Sequence, residues 1–277
     1  MPDEHGQNSS TAPLGDGRGA GAGAPRSLVV AIDGPSGSGK SSVSRGVASR
    51  LGLAYLDTGA MYRAATWWCL HLGLDLADQA AVTAAVRDLP LVQGLEPSAP
   101  TVLVAGIDVA EAIRETAISA AVSAVATNLD VRAELRRRQR DLIEAERHVG
   151  SVSGGRGVVA EGRDITTVVA PDADVRVLLT ASEEARLARR AREIHGNADA
   201  KSLASTRDQV LRRDADDSTV VQFHQAADGV VTLDSSALDL DGTIAAVIEI
   251  IETVIGRATG VSTAGTDSPD VQTAEVR

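Results

Sequence analysis

The clearest chemical pattern in the chain is a glycine-rich segment that ends in a lysine and a serine. It fits G-x-x-x-x-G-K-[ST], and its residues are Gly34, Pro35, Ser36, Gly37, Ser38, Gly39, Lys40 and Ser41. The glycines let the backbone curl its N–H groups around a phosphate, and a following helix directs its positive end at the same anion. Lys40 can reach the β- and γ-phosphates of a nucleotide, and the Ser41 hydroxyl can bind Mg²⁺.

The residues on both sides of this segment agree with a phosphate loop. Residues 28–32 form an apolar run rich in β-branched side chains, which is typical of a strand buried in a parallel sheet. Residues 40–51 then follow a helical pattern. The alternative is a turn that matches by chance, and the flanking strand and helix argue against it. A dinucleotide-binding turn fits poorly, because G-x-G-x-x-G is absent and Lys40 would have no role.

A phosphate loop holds one nucleotide but does not say where its phosphoryl group goes. A kinase of a small acceptor, a nucleotide-dependent switch and a motor all stay open, and only the kinase needs a second, arginine-lined site. Arg63 follows the apolar run at 53–56. Arg163 and Asp164 follow the run at 158–160. Because ligands bind at the carboxyl ends of parallel strands, we predict the second site there, although a surface charge and a local turn are the simpler alternatives.

The order of apolar runs predicts an α/β fold. Strand-like runs at 28–32, 158–160 and 175–179 alternate with helical segments, which indicates three layers around a parallel sheet. Two short apolar runs between 89 and 105 are separated by glycine and proline, and they predict a small antiparallel element inserted between helices. The residues that follow, about 109–148, are predicted to be helical.

Composition narrows the class of protein. The chain has 277 residues and a net charge of −11, which argues against a general nucleic-acid or anionic-membrane binder. A single cysteine, Cys69, excludes a framework of intrachain disulfides. No run approaches the length of a membrane span, and the cytoplasm is the expected location. Residues 1–26 and 257–277 are predicted to be disordered tails around a folded part at 27–256.

Four segments together resemble the bacterial cytidylate kinases, a family of phosphate-loop nucleoside monophosphate kinases. They read I-D-G-P-S-G-S-G-K at 32–40, L-D-T-G-A-M-Y-R at 56–63, R-R-Q-R at 137–140 and G-R-D-I-T-T-V-V at 162–169. The first segment is common among phosphate-loop proteins, whereas the second and the last together are much more specific.

The resemblance implies a fold and a reaction. The fold would be that of three-layer phosphate-loop NTPases, with a parallel central sheet, an antiparallel monophosphate-binding insertion at about 85–150 and a helical lid at about 182–208. The family transfers the γ-phosphoryl group of ATP to CMP or dCMP with Mg²⁺, which gives CDP or dCDP. ATP, Mg²⁺, CMP and dCMP are therefore the expected small-molecule partners. No nucleic-acid partner is expected, and the protein is expected to be a monomer.

The resemblance also implies which residues bind ATP and Mg²⁺. The loop from 34 to 42 would hold ATP, which adds Ser42 to the segment above. We expect Ser41 to bind Mg²⁺, with Asp33 and Asp57 as outer-shell carboxylates. The residues expected to take part in catalysis are Lys40, Arg163, Asp164 and Arg189.

The acceptor site follows from the same resemblance. Arg63 and Arg163 would grip the acceptor phosphate, and Ser123 with Arg132 would recognise cytosine, which offers two acceptors and one donor. Arg136 and Arg140 are expected to stay at the surface. The full set of expected acceptor-binding residues is Thr58, Arg63, Ser123, Arg132, Arg163, Asp164, Arg213 and Asp217.

The resemblance also implies a lid, and the sequence differs from the family motif at one position. Lid arginines, here Arg186, Arg189 and Arg190, would close over the transferring phosphoryl group and exclude water, although an ordinary charged helix is the simpler alternative. Val220 stands where the family motif R-D-x-x-D-S-x-R has its last arginine, which leaves the preference among CMP, dCMP and UMP open. An adenylate- or shikimate-type kinase and a non-catalytic nucleotide-binding switch stay as alternative functions.

Overall fold

The computed structural model describes residues 27–258, so the predicted tail at 1–26 lies outside the described residues. The predicted tail at 257–277 also lies outside them, apart from its first two residues, which end the last helix. The strands are β1 Leu28–Asp33, β2 Ala54–Asp57, β3 Leu91–Gln93, β4 Val102–Val104, β5 Ile107–Asp108, β6 Gly157–Gly162, β7 Val175–Thr180 and β8 Val231–Asp234. The α-helices are α1 Lys40–Leu51, α2 Thr58–His71, α3 Gln79–Arg87, α4 Thr116–Ala126, α5 Leu129–Ala145, α6 Glu183–His195, α7 Ala200–Ser218 and α8 Leu240–Ala258.

A parallel sheet with the strand order β2-β6-β1-β7-β8 forms the centre of the fold. The central strand β1 pairs with β6 on one side and with β7 on the other. Every residue of β1 after Leu28 is buried, as expected for a strand covered on both faces. The predicted parallel sheet is confirmed.

Side chains of β1 alternate between two apolar layers, because successive residues of a strand point to opposite faces. Val30 and Ile32 pack with residues of α1 and α8. Val29 and Ala31 pack with residues of α2, α5 and a π-helical turn at Ile165–Val169. The result is the three-layer arrangement that the alternation of strands and helices predicted.

A second sheet, with the antiparallel order β3-β4-β5, lies in the chain between α3 and α4. It confirms the predicted antiparallel insertion and adds the short strand β5. Val102 and Val104 of β4 are buried in a cluster with residues of α2 and α3. The loop after β3 is joined to the main sheet, because the Tyr55 N–H donates to the Leu95 carbonyl oxygen at 2.9 Å.

The helical segment predicted after the insertion is interrupted. It consists of a short 3₁₀ helix, Ala112–Arg114, followed by α4 and α5. The break lies at Asn128, whose side-chain oxygen accepts two backbone N–H groups at the start of α5 and so caps that helix. The Asn128 side-chain nitrogen donates to the Gln79 carbonyl oxygen and to the Thr83 hydroxyl, both on α3.

The helices α6 and α7 pack against each other in the region expected to be a lid. Gly196 ends α6 with φ 75°, and the Asp199 side chain caps α7. The segment expected to be the lid, 182–208, covers α6 and the first half of α7. That this segment moves as a lid stays a prediction.

The last two elements, β8 and α8, were not predicted from the sequence. β8 pairs with β7 and forms one edge of the main sheet. α8 packs on α1 and supplies Ile244, Val247 and Ile251 to the apolar layer of that face. Within residues 27–258, no helix is both long enough and apolar enough to cross a membrane.

Candidate active site

The carboxyl ends of β2 and β6, together with the loop that follows β1, open onto a cavity of about 610 Å³. The phosphate loop and the start of α1 line one side, and residues of α2, α4, α6 and α7 contribute to the other walls. Ligands of open α/β sheets bind at this edge of the sheet. The cavity is therefore the candidate active site in the described part of the chain.

The phosphate loop has the backbone shape that its glycines allow. A Cβ atom on Gly34 would lie 2.1 Å from the backbone oxygen of Leu179, so no larger residue fits there. Gly39 has φ 92° and directly precedes α1. The loop residues that line the cavity are Ser36, Gly37, Gly39, Lys40, Ser41 and Ser42.

The other expected loop residues, Gly34, Pro35 and Ser38, contribute backbone carbonyl oxygens that accept hydrogen bonds from basic side chains. One of these donors is Lys40, whose Nζ lies 3.0 Å from the Pro35 oxygen. Burial, followed by the nearby Arg163, lowers the pKa of Lys40 to about 8. A desolvated ammonium group gains most from an anionic partner, which a nucleotide phosphate would supply.

The hydroxyl of Ser41 donates to a buried carboxylate, that of Glu161 on β6, at 2.6 Å. The Tyr55 hydroxyl donates to the same carboxylate oxygen at 3.3 Å. Burial, followed by the charge of Asp57, raises the pKa of Glu161. The sequence analysis gave Glu161 no role, although an acidic residue near the carboxyl end of an apolar run is a signal that could have found it.

The two aspartates expected near the metal differ in position. Asp57 lines the cavity, and its Oδ1 atom accepts the Ala60 N–H at 2.7 Å at the start of α2. Asp33 does not line the cavity. Both of its oxygens accept backbone N–H groups, those of Ile165 and Thr166, and burial raises its pKa. The expected outer-shell place of Asp33 is therefore not seen in this structure, where its carboxylate anchors the π-helical turn.

Arginines dominate the side of the cavity that faces the phosphate loop. Arg63, Arg163, Arg190 and Arg213 all line it. The Arg63 and Arg213 Nε atoms are buried and have no hydrogen-bond partner among the described residues. Burial, followed by Arg163 and Arg63, lowers the pKa of Arg213 to about 9. An anion bound here would relieve the repulsion among these guanidinium groups.

Arg163 is held on several sides. Its Nε atom donates to Asp217 at 2.7 Å and its Nη1 atom to the Gly34 carbonyl oxygen at 2.7 Å. The guanidinium carbon lies 4.8 Å from the centre of the Phe223 ring, in the region where the sequence departs from the family motif. Arg163 therefore connects the phosphate loop to α7 and still lines the cavity.

Asp164 and Arg132 contact each other at the cavity wall, and Arg136 joins them. The Asp164 Oδ2 atom accepts from Arg132 Nη2 at 2.7 Å and from Arg136 Nη2 at 2.7 Å. Arg136 is half-buried, so its expected place at the surface is wrong. Arg140 is exposed, yet it donates to the Val168 carbonyl oxygen and so ties α5 to the π-helical turn.

The expected base-recognition residues are only partly brought together. Arg132 is buried and lines the cavity, with its guanidinium carbon 5.6 Å from the Tyr62 ring centre. Burial raises the pKa of Tyr62 to about 12, and its hydroxyl has no partner among the described residues. Ser123 does not line the cavity, so its expected base contact is not seen. Ser119, one turn earlier on α4, lines it together with Val122.

The remaining expected acceptor residues line the cavity as well. The Thr58 hydroxyl donates to the Glu161 carbonyl oxygen at 2.7 Å, which fixes the β2–α2 junction against β6. Arg213 and Asp217 lie four residues apart on α7 and face the cavity together. The cavity therefore contains most of the polar side chains that the sequence placed in the acceptor site.

Arg189 does not line the cavity, so its expected catalytic contact is not seen in this structure. Its guanidinium group donates to the carbonyl oxygen of Ser38 and to the backbone and side chain of Ser235 after β8. The next residue, Arg190, lines the cavity and pairs with Glu193 at 2.8 Å. A helix turns by about 100° per residue, so a one-residue difference decides which side chain faces the site.

Comparison with known proteins gives consistent matches along this chain. A family model described as cytidylate kinase matches residues 30–253. A curated cytidylate kinase of Streptomyces avermitilis is 46% identical over 226 residues, which cover 81% of this chain and 93% of that protein. The cytidylate kinase of Cutibacterium acnes is 48% identical over 81% of this chain and 96% of that protein. The cytidylate kinase of Nocardia farcinica is 47% identical over 78% of this chain and 90% of that protein. The matched span includes every cavity residue described above.

Proposed function

Since the chain belongs to the cytidylate kinase family, an ATP-dependent group of phosphotransferases, we propose that it transfers the γ-phosphoryl group of ATP to CMP or dCMP. The products are ADP and CDP or dCDP. The observation that carries the proposal is one cavity lined both by the phosphate loop and by Arg63, Arg163 and Arg213. Two phosphate groups can be brought face to face between these walls.

ATP binds on the phosphate-loop side. Backbone N–H groups of residues 37–42 and the positive end of α1 hold its phosphates. Lys40 places its ammonium group beside the β- and γ-phosphates, and its buried position strengthens that charge interaction. The negative charge that develops during transfer is therefore met by groups that are already in place.

The acceptor phosphate binds on the arginine side. Arg63 and Arg213 offer buried Nε–H groups without a hydrogen-bond partner among residues 27–258, and Arg163 contacts the phosphate loop through the Gly34 carbonyl oxygen. The acceptor phosphate has a second pKa of about 6, so it is largely dianionic at neutral pH and is already a nucleophile. No side chain has to remove a proton, and the task of the protein is alignment and charge stabilisation.

The base and ribose of the acceptor occupy the part of the cavity near α2, α4 and α5. Tyr62, Val122 and Ala126 supply apolar surface there, and Arg132 supplies hydrogen-bond donors that suit the N3 and O2 acceptors of cytosine. Asp164 holds the Arg132 guanidinium group in position. Asp217, on α7, is the proposed ribose contact.

The oxygen groups near Ser41 suit Mg²⁺, which prefers hard oxygen ligands and keeps several waters. The Ser41 hydroxyl already lies next to the Glu161 carboxylate, and Asp57 lines the same part of the cavity. These residues would hold the ion together with the ATP phosphates. The bound ion would neutralise negative charge on the phosphates during transfer.

Helix α6 covers the cavity from the side of α7. Its Arg190 and Ile194 line the cavity, so closure of this region over bound substrates would add a positive charge and exclude water. Exclusion of water matters because hydrolysis of ATP is the competing reaction. We propose Arg190, in place of Arg189, as the lid arginine that reaches the substrates.

The test of this function is a panel of acceptors with ATP and Mg²⁺, read as ADP formed. CMP and dCMP are expected to give rapid turnover, UMP less, and AMP and shikimate close to the background rate. Rapid turnover of AMP or shikimate would favour the adenylate- or shikimate-type alternative, and no turnover with any acceptor would favour a nucleotide-binding switch. The monomeric state and the cytoplasmic location stay predictions.

A further inference from the structure

Asp214 on α7 is a buried carboxylate beside the phosphate loop, and the reaction described above gives it no role. Its Oδ1 atom accepts the backbone N–H of Ser36 at 3.0 Å and an N–H of Arg163 at 3.4 Å. Its Oδ2 atom accepts Nη1 of Arg186 from α6. The phosphate loop, the segment after β6 and both helices of the lid region therefore meet at this one side chain.

The peptide groups around Ser36 are held from two sides. Asp214 accepts the N–H of Ser36, and Arg186 donates to the Ser36 carbonyl oxygen at 2.8 Å. At the start of the loop, Arg163 donates to the Gly34 carbonyl oxygen at 2.7 Å. Residues 34–36 are thus fixed by side chains from outside the loop, and Asp214 contacts both of the arginines involved.

The negative charge of Asp214 is unexpected beside a loop that binds phosphate groups. A carboxylate next to the phosphate loop opposes the binding of a triphosphate, because like charges repel. Affinity for ATP in the ground state therefore does not explain this residue. Its contacts do, because they determine where the Ser36 peptide and the Arg163 guanidinium group lie. Interactions of this kind raise the rate of transfer without tightening the binding of substrate.

We propose that Asp214 is a positioning residue that holds the phosphate loop and Arg163 in one arrangement, so that the ATP and acceptor phosphates are aligned for transfer. This inference rests on the proposed function. It gives α7 a part in both substrate sites, since Asp214 contacts the ATP loop while Arg213 and Asp217 of the same helix line the acceptor side.

The test compares Asp214→Asn with a matched control, Asp216→Asn. Asparagine has the shape of aspartate, and its oxygen can still accept the Ser36 N–H. Its amide nitrogen, in the place of Oδ2, cannot accept from Arg186, and the loss of the negative charge weakens the interaction with Arg163. Asp216 lies two residues away on α7 and is half-buried, and its carboxylate has no hydrogen bond or ion pair with residues 27–258.

Three quantities are measured on the full chain: kcat and KM with CMP, the Kd for ATP by calorimetry without acceptor, and the melting temperature. For Asp214→Asn we expect kcat about 10- to 100-fold below that of Asp216→Asn, because misaligned groups lose transition-state stabilisation. The Kd for ATP is expected to be equal to or lower than that of the control, because a negative charge beside the phosphates has been removed. A role limited to stability predicts the opposite pattern, with weaker ATP binding and unchanged kcat in the folded fraction.

A kcat within twofold of the control, or a loss confined to KM, overturns the inference while leaving the proposed function intact. Wild-type protein that binds ATP but makes no CDP overturns the proposed function and this inference with it. Where Asp214→Asn does not fold at the assay temperature, Arg186→Lys takes its place, and the inference then depends on the kcat criterion alone. That variant keeps the charge and removes the guanidinium group that joins Ser36 to Asp214.

Discussion

The hydroxyl of Ser41, at the start of α1, donates a 2.6 Å hydrogen bond to the carboxylate of Glu161 near the end of β6. The contact joins the phosphate loop to the neighbouring strand at the place where Mg²⁺ and the ATP phosphates are proposed to bind. Glu161 is almost fully buried, and its pKa is raised by that burial and by Asp57. Burying a charged carboxylate costs free energy, and a cation bound beside Glu161 would offset that cost.

We expect Glu161→Gln to lower kcat about 10- to 100-fold and to raise the Mg²⁺ concentration needed for half-maximal activity, because the uncharged amide is a poor ligand partner for the ion. Steady-state assays over a Mg²⁺ titration measure both effects. Glu144→Gln, on the exposed face of α5, is the matched control. An unchanged Mg²⁺ requirement would contradict the role proposed for Glu161.

Lys40→Met removes the positive charge at the phosphate loop while keeping most of the side-chain volume. We expect kcat to fall by about 10²- to 10⁴-fold, as when a group that stabilises the transition state is lost. Lys201 is the only other lysine of the chain and is exposed on α7, so Lys201→Met is the control and should keep near-normal turnover. Turnover of Lys40→Met close to that of the control would count against the phosphate-loop assignment.

Arg63→Ala is expected to act on the acceptor alone. The KM for CMP should rise about 10- to 100-fold, the range expected when a charge-assisted hydrogen bond to a phosphate is lost. The Kd for ATP, measured by calorimetry, should stay within about threefold, because the loop that binds ATP is untouched. Arg87→Ala at the exposed end of α3 is the control. Equal losses of CMP and ATP binding would show that Arg63 serves both sites or the fold.

Glu134 on α5 provides a pH-dependent contribution to stability. It accepts hydrogen bonds from Arg137 and Arg138, and these arginines lower its pKa to about 2. A lowered pKa stabilises the folded state at a pH above the ordinary value of 4.5, and that contribution is lost as the pH falls toward about 2.

The corresponding experiment is urea unfolding of wild type and Glu134→Gln. We expect the variant to be less stable by about 0.5 to 1 kcal/mol at pH 7, the range for ion pairs near the surface. This difference should shrink steadily below about pH 5. A difference that does not change between pH 7 and pH 3 would show that packing, and not charge, is lost in the variant.

Much of the fold follows from local patterns in the sequence. The apolar run at 28–32, the glycine-rich loop and the helix at 40–51 coincide with β1, the phosphate loop and α1. Strong periodicity and turn chemistry fix such elements. The break at Asn128 was not predicted because a polar residue within a long helical pattern does not by itself show where its side chain binds. Its partners on α3 lie more than forty positions away in the chain.

Sequence reasoning predicted the types of residue in the site better than it predicted which individual residues line the cavity. Sequence reasoning assigned Lys40, Arg63 and Arg163 to one site, and all three line the same cavity, while their roles stay predictions. Sequence reasoning could not tell which of Arg189 and Arg190 faces the cavity, because the direction of a side chain on α6 depends on how that helix packs. It assigned Asp33 to the site because the residue adjoins the loop, while the backbone groups that bind Asp33 are more than 130 positions away.

Asn128 lies at the junction of α4 and α5, two helices that both line the cavity. Its side chain joins α3 to the beginning of α5, the helix that carries Arg132, while Val122 lies on α4 directly before this junction. Neither Asn128 nor Thr83 lines the cavity. We therefore expect that changes at this junction can alter substrate choice while every residue in the cavity wall stays as it is.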